Sequence, residues 1–135
     1  MKLVSVYDQP MAPFVLYQLL EEREHHQCIS HKAMPDFMEH VRFVYSKPYL
    51  AWYLVEEGGE FIGATYLTKQ REIGIFLFKK FQGKSLGAKA IELLMQTHPG
   101  RFLANIAPTN PGSSEFFKNL GFKLIQHTYE LEVAR

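Results

Sequence analysis

The order of local patterns predicts an α/β fold in which a mixed, mostly antiparallel central sheet is flanked by helices. Three observations carry this. The periodic segments follow one another as strand, two helices, three strands, helix, strand, helix, strand. Gly58-Gly59 separates two apolar runs and reads as a hairpin turn. Residues 72–88, EIGIFLFKKFQGKSLGA, read as a buried strand, a sharp glycine-containing turn and a helix start near Ser85. No internal repeat, linker or low-complexity tract interrupts the chain, so residues 1–135 are expected to form one domain.

Each element has a local reason. Residues 2–7 (KLVSVY) alternate and suit a first strand. Pro10 and Pro13 fit the first turn of a helix that Phe14, Leu16, Tyr17, Leu19 and Leu20 continue, and it should fade after Arg23. Residues 25–34 (HHQCISHKAM) show no period and read as a loop. Pro35 opens a second helix, with Phe37, Val41 and Val44 on one face, and Pro48 marks its end. The aromatic run 49–56 has the composition of a central strand, and residues 61–68 return beside it. Lys69 to Arg71 turn into the strand Ile73 to Phe78. The next helix carries Ser85, Lys89, Glu92 and Gln96 on a polar stripe, with Leu86, Ala90, Leu93 and Leu94 opposite. Pro99-Gly100 ends it. Residues 101–107 (RFLANIA) read as a strand stopped by Pro108. Ser113 to Asn119 reads as a short helix closed by a left-handed Gly121, and 122–133 (FKLIQHTYELEV) as a long final strand.

Composition bounds the function. Hydrophobic residues make up 47% and charged residues 21%, as in a soluble globular protein. A net charge of +1 gives no electrostatic case for nucleic acid or an anionic membrane. No apolar run approaches the roughly 20 residues of a membrane helix, and Asp8 and two prolines argue against a signal peptide in the first residues. The single cysteine, Cys28, excludes an internal disulfide and fits a reducing cytoplasm. The six histidines form no H-E-x-x-H pattern and there is no C-x-x-C, so no metal is expected.

The chemistry concentrates at 72–88. The free N–H groups of a helix's first turn converge on one spot, and the helix dipole adds positive potential there. Gly83 and Gly87 let the backbone bend and approach a ligand, and Lys79, Lys80 and Lys84 add mobile charge. This setting suits a phosphate or pyrophosphate. It is not a Walker loop, because the place five residues before Gly83 is Phe78, inside the strand. It is not a dinucleotide fingerprint, which needs three glycines where this turn has two.

The turn Gln82-Gly83-Lys84-Ser85-Leu86-Gly87 resembles motif A of the GCN5-related N-acetyltransferases, Gln/Arg-x-x-Gly-x-Gly/Ala, with Ser85 in place of the middle glycine. A second stretch resembles the same family's motif B: Asn110 at a strand end, Ser113 three later, the pair Phe116-Phe117, and Gly121-Phe122 opening the last strand. The order and separation of the two also match, and the resemblance covers nearly the whole chain. It implies the acyl-CoA N-acyltransferase fold, in which the strands carrying the two motifs splay apart and the pantetheine arm lies between them. It implies acetyl-CoA as co-substrate, its diphosphate on the backbone of Gln82, Gly83, Lys84, Ser85, Leu86, Gly87 and Ala88. The pantetheine amides and acyl carbonyl would lie along Ile75, Phe76 and Leu77, with Asn110 and Phe117 beside the arm. Asn110 is equally suited to cap a helix.

Two residues depart from the family. Phe117 stands where many members carry a tyrosine that protonates the leaving thiolate, and Asn105 stands where some carry a catalytic glutamate. A thiolate leaves at moderate pKa without an acid, and positioning supplies much of the rate. If a base is needed, the candidates are Glu72, which also reads as a solvated charge at a strand end, and His31 or His127, histidine being the residue type suited to proton transfer near neutral pH. Tyr129 replaces the missing phenol only if the last strand aims it at the sulfur. Cys28-Ile29-Ser30-His31 suggests a thiol with a nearby base, but direct transfer needs no enzyme nucleophile.

The acceptor is expected to be a primary amine of a small molecule. Residues 29–55 further resemble a subgroup that acetylates nucleotide-linked amino sugars of bacterial surfaces. His25, His26, His31 and Lys32 would face the diphosphate, and Trp52, Tyr53 and Tyr66 would stack on sugar or base, unless they are core. A protein amine is the alternative acceptor, and a non-catalytic acyl-CoA-binding module or a nucleotide-binding protein are the alternatives in kind. A last strand of this length also offers an edge for a homodimer.

Overall fold

The computed structural model describes residues 1–26 and 34–134, with residues 24–26 described through their backbone alone. The chain divides into two compact units, residues 1–105 and 106–135.

In the first unit the elements are β1 (Lys2–Ser5), α1 (Ala12–His26), α2 (Phe37–Tyr45), β2 (Ala51–Glu57), β3 (Glu60–Leu67), β4 (Ile73–Leu77) and α3 (Leu86–Thr97). The four strands form one antiparallel sheet in sequence order. Gly58 and Gly59 both take positive φ, 59° and 83°, as the predicted hairpin turn requires. Outside these strands, Glu72 and Leu103 form an isolated parallel bridge.

Side-chain alternation divides the core between the two faces of the sheet. On one face Val15, Leu16 and Leu19 of α1 and Val44 of α2 pack on Trp52, Leu54 and Ala64. On the other, Ala90 of α3 packs with Val55 and Ile62, with Leu3, Ile75, Leu77 and Leu86 beside them. Leu54, Ile62, Leu67 and Ile91 are fully buried, each worth about 1.5–3 kcal/mol in transfer terms. A bulge between Val55 and Glu56 leaves Ile62 without a partner in the β2–β3 register, so Phe61 and Ile62 trade faces relative to strict alternation.

Some boundaries differ from the sequence reading. α1 runs to His26 rather than ending at Arg23, because Glu21, Glu22 and Arg23 are good helix formers and extend it. The predicted loop 25–34 therefore begins in a helix, and residues 27–33 lie outside those described. Of the predicted strand 101–107, only Leu103 pairs: its N–H donates to Arg71 O at 2.9 Å and its carbonyl accepts from Ile73 N at 2.8 Å.

The second unit contains α4 (Pro111–Asn119), two residues longer at its start than predicted. Asn110 is its N-cap, accepting from Ser113 N at 3.2 Å, and Pro111 takes the first helical position, where its missing N–H costs nothing. Gly121, at φ 100°, closes the helix as expected, with Phe122 N donating to Phe117 O at 3.0 Å. Phe117 is buried and packs edge-on to Phe116 and Phe122. The predicted long strand 122–133 is not formed. A strand exists only through ladder bonds to a neighbour, and the unit supplies a helix alone.

Candidate functional site

β4 is the edge of the sheet, and its pairing sets which groups face outward. Thr68 N donates to Glu72 O at 2.9 Å and Phe78 N donates to Ile62 O at 2.9 Å, so the even residues of β4 point their backbone groups at β3. The odd residues point theirs away. Ile73 uses its N–H on Leu103. Beyond it the outward N–H groups of Ile75 and Leu77 find no backbone partner among the described residues, and Leu77 O accepts only from Gln82 Nε2, at 3.0 Å. This is a stretch of open strand edge able to pair with the amides of an extended ligand.

The turn that follows is exposed from Gln82 to Ser85. After a short 3-10 turn (Lys79–Phe81), Gly83 adopts φ 77° and Ser85 adopts φ 62°, ψ 13°. Ser85 thus takes the left-handed conformation that glycine takes without strain. Its side chain makes no capping bond to α3. The first bond closing the helix is Lys89 N to Ser85 O, which leaves the N–H groups of Leu86, Gly87 and Ala88 without helical acceptors. A Cβ added at Gly83 would meet nothing within 4 Å, so the turn has open space at its convex side.

Glu72 heads β4. The Asn105 side-chain amide donates to its Oε2, and its backbone N–H donates to Thr68 Oγ1 at 2.9 Å. The two positions singled out in sequence as base and missing base are therefore hydrogen-bonded partners, brought together by the Leu103 bridge. By alternation Glu72 shares a face with Gly74 and Phe76.

That face holds a cavity of about 130 Å³ under α1 and α2. Tyr49, Trp52, Tyr66 and Phe76 line it with aromatic rings, and Ala64 and Arg23 complete the part nearest β4. Tyr49 and Tyr66 stack at 4.0 Å and 7°, with Trp52 edge-on to Tyr49 at 4.7 Å. Burial, with the Tyr66 phenol beside it, pushes the Tyr49 phenol up to about 12, so it stays protonated at any working pH. His40, also lining the cavity and buried, bonds Pro13 O through Nε2 at 3.1 Å, and burial holds its pKa below 6.5. The Glu22 side chain accepts from Lys79 N and ties α1 to the turn after β4.

The sequence-predicted residues fall into distinct places. Ile75, Phe76, Leu77 and 82–88 are contiguous in the first unit. Asn110 and Phe117 lie in the second unit, Asn110 occupied as a helix cap and Phe117 in an aromatic cluster. Tyr129, also there, is 91% exposed. His31 lies outside the described residues. Trp52 and Tyr66 share the cavity, but Tyr53 does not: alternation turns it to the opposite face, where its hydroxyl bonds His98 Nε2 at 2.6 Å. Arg23, Tyr49 and His40 were not singled out in sequence. Arg23 lies inside α1 and Tyr49 just before β2, and nothing local in the sequence marks either as a cavity wall.

Among the described residues no helix is long and apolar enough to cross a membrane. No curated protein matches the sequence. Solved structures do share the fold. An acetyltransferase from Thermus thermophilus is 20% identical with a TM-score of 0.73, over 93% of this chain and 88% of that one. A ribosomal-protein-alanine N-acetyltransferase from Brucella melitensis biovar Abortus 2308 is 12% identical with a TM-score of 0.68, over 98% and 97%. An aminoglycoside acetyltransferase from an uncultured soil metagenomic sample, in complex with sisomicin, is 13% identical with a TM-score of 0.65, over 97% and 95%. The acetyltransferase (GNAT) family matches residues 13–122, from α1 through motif B, and the chain accordingly belongs to the GNAT acetyltransferases.

Proposed function

We propose that this protein is a cytoplasmic N-acetyltransferase that moves the acetyl group of acetyl-CoA directly to a primary amine of a small molecule. The observation that carries the cofactor reading is the open edge of β4 running into the turn 82–88. The outward N–H groups of Ile75 and Leu77 suit the amides and carbonyl of an acylated pantetheine arm, and those of Leu86, Gly87 and Ala88 suit its diphosphate. Acetyl-CoA supplies an activated thioester. The chain's own residues hold it in line and direct the amine.

In the transfer the acceptor nitrogen bonds the acetyl carbonyl carbon, the carbon–sulfur bond breaks with its electron pair on sulfur, and the nitrogen gives up one proton. Glu72 is the residue we assign to receive that proton. Asn105 orients its carboxylate, and it lies on the face that bears the cavity. Its Cα stands about 10 Å along the strand from that of Ile75, which calls for a relay through water. Tyr129, fully in solvent, has no support as an acid.

The neighbours named for a protein and for an aminoglycoside share the fold about equally, so fold likeness does not choose the acceptor. The small-molecule reading rests on the aromatic-lined cavity beside Phe76. The amino-sugar reading drew on residues 29–55 and on the loop 25–34, and residues 27–33 lie outside those described. A homodimer is supported by the exposed apolar side chains of the last segment, Leu124, Leu131 and Val133 among them, and sedimentation velocity measures it.

The test is calorimetric titration with acetyl-CoA followed by thiol release over a panel of amines. Saturable binding and release with small amines are expected. Binding without release on any amine would identify a non-catalytic acyl-CoA module instead, and release only with peptides would overturn the small-molecule acceptor.

A further inference from the structure

We infer that the acceptor amine is carried on a single flat, apolar six-membered ring bearing an anionic group, with the ring in the aromatic cavity and the anion on Arg23. This rests on the transfer reading above and narrows its substrate class.

Size comes first. A cavity of about 130 Å³ is close to the apolar cavity of about 150 Å³ that takes benzene. The cavity is open on one side, so one ring fills its volume and a second would extend out through the mouth. Chemistry follows from the walls. Tyr49, Trp52, Tyr66 and Phe76 present ring faces and edges, and Leu16, Leu19 and Ala64 fill the gaps between them. Stacked and edge-on aromatic pairs of this kind favour another flat ring over a hydroxylated sugar, whose polar groups would lose water without gaining partners. Of the two titratable bases at the wall, His40 is kept neutral by burial and is engaged with Pro13.

Arg23 is the remaining formal charge among the described lining residues. Its guanidinium lies 4.1 Å over the Phe76 ring, with its side chain reaching solvent. It lines the cavity together with Tyr49. No described carboxylate lies within ion-pair distance of it. Its planar fork suits a carboxylate or phosphate.

The cavity also sits correctly for the reaction. Phe76 forms its wall and belongs to β4, whose outward edge is the proposed seat of the thioester. Gly74 precedes it, and a Cβ there would overlap the Tyr66 ring, so the missing side chain lets that ring lie flat across the strand. An amine one or two bonds from the ring would leave the cavity at the strand edge.

Trp52 is the single tryptophan of the chain and lines the cavity, so its emission reports occupancy without turnover. Titration with 4-methylbenzoate, which has no amine, should give a saturable change in emission. In thiol-release assays 4-(aminomethyl)benzoate should show a KM at least about 10-fold below that of benzylamine, a difference of about 1.4 kcal/mol. The two-ring 6-(aminomethyl)-2-naphthoate should be poorer by a similar factor. Arg23→Gln should collapse the preference for the acid over benzylamine toward one, and Arg23→Lys should restore part of it. Glucosamine 6-phosphate accepted as well as 4-(aminomethyl)benzoate would overturn the apolar ring. A preference that survives Arg23→Gln would overturn the anion site. Silence of Trp52 toward 4-methylbenzoate, with acetyl-CoA binding intact, would sink the acceptor class and leave acetyl transfer standing, whereas loss of acetyl-CoA binding in the native protein would sink the transfer reading itself.

Discussion

Ser85 occupies a glycine's conformation at the turn proposed to hold the cofactor diphosphate, so Ser85→Gly should improve the protein. At φ 62° and ψ 13° its Cβ crowds the adjacent carbonyl, at about 1–2 kcal/mol for a residue other than glycine. The gain is offset by the extra freedom glycine brings to the unfolded chain, about 0.5–1 kcal/mol. No hydrogen bond is lost, because the Ser85 side chain caps nothing. The net is a stabilisation of about 0.5–1 kcal/mol, or a rise of about 2–5 °C in Tm for a chain of this size. Removing the Cβ also lets a diphosphate approach the N–H groups of α3, which should tighten acetyl-CoA by about 2–5-fold, or ~0.4–1 kcal/mol. Differential scanning fluorimetry and calorimetric titration read the two effects separately. Ser85→Ala is the control: it keeps the Cβ and the strain and should match the native protein within ~0.5 kcal/mol. A fall in Tm for both variants would show that the hydroxyl holds the turn, and the strain argument would fail.

Glu72→Gln should lower kcat/KM by about 10²–10⁴ at neutral pH while leaving Tm nearly unchanged, and Asn105→Asp, which replaces the orienting amide donor with a like charge, should lower kcat/KM while leaving acetyl-CoA affinity unchanged. Gly74→Ala should cost about 1–3 kcal/mol and raise the KM for the amine, since the added methyl must displace the Tyr66 ring; unchanged denaturant midpoint and KM would contradict that packing. His40 is buried with a lowered pKa, so the unfolded chain binds its proton first as pH falls below 6.5. Stability should therefore decline with a slope of at most about 1.4 kcal/mol per pH unit, until the pH passes below the folded value and the slope vanishes. Urea melts of the native protein and of His40→Gln between pH 5 and 8 check this, the variant being flatter.

The hairpin, the strand–turn–helix and the Gly121 cap were legible because each rests on residues that few other conformations tolerate. Gly58-Gly59, Gly83 and Gly121 sit at positive φ where a side chain would be strained. The segments 101–107 and 122–133 read as strands from composition, yet pairing is a property of a neighbour and not of a segment. Leu103 finds Arg71 and Ile73, while 122–133 finds no ladder. The cavity was the least legible part. Trp52 and Tyr66 are apolar residues on predicted strands, and nothing local distinguishes a ring that fills a core from one that borders a space. That distinction arises from Gly74, whose missing side chain lets the Tyr66 ring lie over β4.

The two functions asked of β4 use different parts of the same strand, and this explains why its sequence tolerates the family's missing catalytic side chains. Outward N–H groups belong to Ile75 and Leu77, whose side chains anchor against α3. Facing side chains belong to Glu72, Gly74 and Phe76, whose backbone groups are committed to β3. Backbone donors come with the strand itself, so the proposed thioester seat needs no particular residue there, and neither Asn105 nor Phe117 weakens it. In the proposed site the even positions are assigned the selectivity instead: a carboxylate held by Asn105, a glycine that admits a ring, and a phenylalanine under Arg23. Substitutions at 75 and 77 should then act through packing and stability, and those at 72, 74 and 76 through the choice and rate of the amine.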